Sequence, residues 1–92
     1  MNRIPLASFH RAIRATHGGE PTLIARERVN ETFEGEPVWT GEVLVFALEG
    51  HPSASRVYAW EVDGRVTAVL HQPPVDSPAA AVRAAILAEG EK

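Results

Sequence analysis

The chain has 92 residues, 45% hydrophobic and 23% charged, with a net charge of −3 and no cysteine. That length gives one domain with a high surface-to-volume ratio, and the composition is far from that of disordered chains. Disulfides and thiolate metal sites are excluded, a reducing cytoplasmic setting is expected, and the acidic balance argues against binding to a phosphate backbone.

The charge is unevenly distributed. Residues 1–30 hold five Arg against two Glu, whereas residues 31–55 hold five Glu and no base. Such runs ordinarily mark solvated faces, here a basic helix and an acidic loop. The start Met1-Asn2-Arg3-Ile4-Pro5 lacks the apolar core of a signal peptide, and no stretch approaches the ~20 apolar residues of a membrane span.

Leu6, Phe9 and Ile13 recur at helical spacing and predict a helix from about Pro5 to His17, stopped by Gly18-Gly19. His10, Arg11 and Arg14 fan away from its apolar stripe as a cationic flank, while His17 lies beside the stripe. Thr22–Val29 reads as a strand, and its centre Arg26-Glu27-Arg28 suits a sheet edge. Asn30 to Pro37 is expected to be a turn. Val38 to Leu48 gives the longest β signal, and the non-alternating run Val43-Leu44-Val45-Phe46-Ala47-Leu48 requires burial on both faces.

After a loop over residues 49–55, Arg56–Val62 and the strand from Arg65 to His71 flank Asp63-Gly64. That dipeptide between β-rich runs predicts a type I′ hairpin. Its register opposes Tyr58 to Val69, Trp60 to Thr67 and Val62 to Arg65. The preceding hairpin, centred between residues 52 and 53, is expected to oppose Val45 to Trp60 and Phe46 to Ala59. Ser77 and Pro78 then open a helix over about 78–89, with Ala79, Val82, Ala85 and Ile86 as its buried stripe.

No chemistry-bearing motif stands out. Ser8, Ser53, Ser55 and Ser77 lack a nucleophile elbow, and His51 two residues from Ser53 reads as a solvated loop pair rather than a dyad. His10, His17, His51 and His71 show no metal-ligand spacing, and Glu42 and Glu61 read as exposed acids on one sheet face. No enzyme activity, metal or cofactor is implied.

The expected fold class is α+β, a two-layer sandwich in α-β-β-β-β-α order, with a meander antiparallel sheet and both helices on one face. One sheet face carries Leu44, Phe46, Leu48, Val57, Ala59, Val66, Ala68 and Leu70. The other carries Trp39, Val43, Val45, Tyr58, Trp60, Val62, Val69 and His71. Two helices over the aliphatic face leave the aromatic one uncovered, unless one helix lies on each side.

The uncovered face makes Trp39, Tyr58, Trp60, Val69 and His71 candidate interaction residues of a non-catalytic assembly module, most simply a homodimer. The alternative is a nucleic-acid-binding domain using the Arg-rich first helix or the aromatic face as a stacking platform. The element order is loosely similar to that of double-stranded RNA-binding domains. Their last helix opens on lysines, whereas this one opens on Pro78-Ala79-Ala80-Ala81, so no site residue is carried across.

Overall fold

The computed structural model describes residues 4–90, and the reading of Met1–Arg3 as part of a leaderless start lies outside the described residues. The elements run α1 Leu6–Thr16, β1 Glu20–Phe33, β2 Glu36–Glu49, β3 Arg56–Val62, β4 Arg65–Leu70 and α2 Pro78–Gly90. The strands form one antiparallel meander in the order β1-β2-β3-β4. This is the expected α+β class and element order.

Local chemistry sets the boundaries. The Gly18 N–H returns to the carbonyls of Ile13 and Arg14, closing α1 with Gly18 at φ +82°, where a Cβ would be strained. At the other end of the chain the Ser77 hydroxyl accepts the Ala80 N–H at 3.1 Å and caps α2. Asp63 and Gly64 both take positive φ, and the β3–β4 register opposes Tyr58 to Val69, Trp60 to Thr67 and Val62 to Arg65 as expected.

Two expectations change. The turn expected over Asn30–Pro37 is a two-residue connection, Glu34-Gly35, with φ of +52° and +81°, so β1 and β2 are paired up to Phe33 and Glu36. In the second hairpin the observed partners are Val45↔Tyr58 and Phe46↔Val57, two residues away from the expected register. His51 is the cause. Its Nδ1 accepts the backbone N–H groups of Ser53 and Ala54, both at 3.1 Å, and the loop closes with Leu48 N–H on the Ser55 carbonyl. A slip of two residues preserves side-chain facing, so both apolar faces are composed as the sequence implies.

The placement of both helices on one face is corrected. Phe9 and Ile13 of α1 pack with Leu44, Phe46, Leu48, Val57 and Ala59 on the aliphatic face. Ala81 and Val82 of α2 pack with Val29, Val43, Val45, Tyr58 and Trp60 on the aromatic face. The sheet is therefore the middle of three layers. The small residues of α2 complement bulky aromatics rather than the Ala-containing aliphatic face, because a helix surface of Ala and Val lets its axis approach the rings and fill the space between them. Among the described residues no helix is long and apolar enough to cross a membrane.

Burial of Trp60 beneath α2 makes it a structural residue. Trp60→Ala should cost about 3–5 kcal/mol, read from urea denaturation followed by circular dichroism. Wild-type stability in this variant would mean that the indole lies outside the core.

Candidate interaction surface

The five residues expected to form an interface are mostly interior. Tyr58 and Trp60 are only 2% and 3% exposed, and Trp39, Val69 and His71 are half-buried. The structure does bring them together in pairs: the rings of Trp39 and Trp60 lie 6.1 Å apart, and the Tyr58 hydroxyl donates to His71 Nδ1 at 2.6 Å. The face that carries them is the seat of α2, so they do not offer a free aromatic platform. The two helices do not share one face: each covers a face of its own, so the second cover comes from the chain itself.

The polar candidates are similarly engaged in structure. The His51 Nδ1 lone pair is taken by two backbone N–H groups, leaving the Ser53 hydroxyl at 3.5 Å with no base to activate it. His17 Nε2 donates to the Ala68 carbonyl at 3.1 Å, and His10 sits edge-on to Phe46 with ring centroids 5.6 Å apart. The four histidines are thus dispersed, and among the described residues no group of three potential metal ligands converges. Of the cationic side chains, Arg14 pairs with Glu20, Arg26 with Glu42 and Arg83 with Glu31.

What the molecule leaves exposed lies elsewhere. β2 is paired to β1 along nearly its whole length but to β3 only over Leu44–Ala47. The next β2–β3 rung in that register would oppose Glu42 to Glu61, and like charges directly across a ladder are destabilising. Glu42 turns instead to Arg26 at 3.1 Å. Beyond this point the β1–β2 hairpin continues past β3 as an arm held to α2 on one face, and a cleft of about 440 Å³ opens beside it, lined by Arg28, Thr40, Glu42, Glu61 and Asp63 among others.

On the α2 side, a second groove of about 300 Å³ lies between the arm and the helix, lined by Val38, Trp39, Trp60, Val62, Val82 and Ile86. Trp39 lines both openings. Its indole is cradled by Gly41, where an added Cβ would meet the ring at 2.7 Å.

Three exposed large apolar side chains belong to this distal end, while Ile24, 50% exposed, lies near the start of β1. Phe33 is 65% exposed, Leu87 61% and Val38 46%. Arg83 of α2 is bonded to Glu31 of β1 through two contacts of 3.1 and 3.3 Å. Phe33 lies two residues beyond Glu31, on the same face of its strand, and Leu87 one helical turn beyond Arg83, so the ion pair sets both at one end. Phe33 is hidden in the sequence because the segment from Asn30 to Pro37 reads as a loop, and Val38 and Leu87 because they lie within a predicted strand and helix without marking an exposed end. The signal that could have found them is Phe33 and Val38 flanking the short Glu34-Gly35 connection.

No family model, characterised protein or solved structure matches the chain.

Two tests follow from this geometry. Gly41→Ala should displace the Trp39 indole and cost on the order of 1–3 kcal/mol, with a red shift of the tryptophan emission. An unchanged spectrum and stability would show that the ring is not held there. The second concerns Tyr58, the single tyrosine of the chain. Burial pushes its hydroxyl above the ordinary value of 10.0, against a smaller downward pull from Arg56. The folded state therefore favours the neutral phenol. Its contribution to stability is complete below pH 10.0 and is lost as the pH rises through the folded value. Tyrosinate absorbance should show a midpoint above 10.0 in the folded protein, and a midpoint at or below that value would contradict the buried environment.

Proposed function

We propose that the protein is a small non-catalytic interaction module that self-associates through the distal end of its β1–β2 arm. The observation that carries this reading is the exposure of Phe33, Val38 and Leu87 toward the end of the molecule where Val38 lines the apolar groove between arm and helix. A projecting aromatic and a groove able to receive one, both on a single chain, are the two halves of a two-fold interface. Aromatic residues are enriched at the buried centres of such contacts. The absence of cysteine suits work in a reducing compartment such as the cytoplasm. Nucleic-acid binding has less support, since three arginines are held by glutamates and the aromatic face lies under α2.

Solution mass tests the reading. Light scattering should give a dimer at micromolar concentrations, and Phe33→Ser with Leu87→Ser should give a folded monomer, because exposed side chains contribute little to the monomer's own core. A wild type that stays monomeric at the highest soluble concentration, or a double variant that dimerises as well as the wild type, would refute it.

A further inference from the structure

The open edge of β2 adds a second, directional contact to this end of the molecule. Leu48 gives its N–H to Ser55 on the β3 side, and backbone groups alternate along a strand, so those of Phe46, Leu44, Glu42 and Thr40 face the same way. Leu44 and Phe46 have partners on β3, whereas Thr40 and Glu42 have none across the splayed rungs. Both residues line the cleft, on a strand that pairs with β1 on its other side and carries a bulge at Val38.

We propose that this edge pairs with the same edge of a second copy, antiparallel and centred on Thr40, so that the two sheets become continuous across the two-fold axis. The inference rests on the self-association reading and specifies its geometry. Three observations commit it to a second copy. A register centred on Thr40 sets Thr40 against itself and brings Glu42 opposite the Pro37-Val38 bulge of the other copy rather than another glutamate, and Glu42 is already paired with Arg26. Val38 belongs both to this edge and to the apolar end, so one axis serves both contacts. Finally, three exposed apolar side chains per copy fall short of the ~800 Å² that each partner of a stable complex ordinarily buries. The adjoining strand edge adds backbone hydrogen bonds to that apolar contact and fixes the register.

The chain's lack of cysteine makes the test direct. In an antiparallel pair, directly opposed residues stand about 5.5 Å apart, within disulfide reach. Thr40→Cys should form a covalent dimer under mild oxidation, while Arg11→Cys, on the exposed side of α1, should not. Thr40→Pro removes a donor that β1 does not use, and it should weaken dimerisation about tenfold or more. If the wild type is dimeric, yet Thr40→Cys fails to cross-link and Thr40→Pro dimerises normally, the edge pairing is wrong and the apolar contact alone stands. A monomeric wild type overturns both readings and leaves the edge to a strand from another protein.

Discussion

The fold depends on a short stretch of two central strands buried on both sides. Val43–Phe46 of β2 and Val57–Trp60 of β3 are eight side chains, all buried, alternating between the two faces of one sheet. No single helix layer can dry both faces, and a 92-residue chain has little else to offer. In a four-stranded meander the start of β1 and the end of β4 lie at the same end of the sheet. A helix attached at each point can return over the sheet on its own side. The two helices thus enter from opposite edges and cover opposite faces, and neither core forms independently of the other because both share β2 and β3.

This sharing explains the division of residue types. The aliphatic core takes Phe9 and Ile13 from a helix with few large apolar side chains, set against Leu44, Phe46 and Leu48. The aromatic core takes mostly Ala and Val from α2, set against Tyr58, Trp60 and the half-buried Trp39. In each case bulk on one layer meets its complement on the other, as close packing requires. Two of the polar groups that enter find partners, His17 on the Ala68 carbonyl and Tyr58 on His71, whereas the His10 Nε2, beside Phe46, is buried without one.

The sequence displays these relations unequally. Strand facing was legible because the Asp63-Gly64 turn fixes one register, and an even-numbered slip in the other leaves every side chain on its own face. The composition of both cores could therefore be assigned residue by residue. The side on which each helix lands was not legible, since amphipathic periodicity shows that a helix has a buried stripe without showing which sheet face receives it. The length of the arm was hidden for another reason. Glu34 is an uncommon residue at positive φ, and three glutamates and a proline over residues 31–37 look like solvated loop, although all but Glu34 lie in the paired strands β1 and β2.

The arm itself poses the remaining physical question, because a free strand edge with exposed Phe33 and Val38 invites uncontrolled pairing. The chain limits this in several ways. Pro21 and Pro37 remove donors at the two ends of the hairpin, a bulge at Ile24 breaks the outer edge of β1, and Arg26-Glu27-Arg28 charges its centre. On the β2 side only Thr40 and Glu42 present backbone groups beside the cleft, flanked by Gly41 with the Trp39 indole across it. Glu42 and Glu61 keep β3 from closing over that segment, although β3 extends three residues beyond its last β2 partner and could otherwise reach it. Two residues of open edge are too few to template an indefinite sheet, yet enough to fix the register of one neighbour. The same pair of glutamates that ends the internal ladder therefore confines any external one to a short, defined stretch.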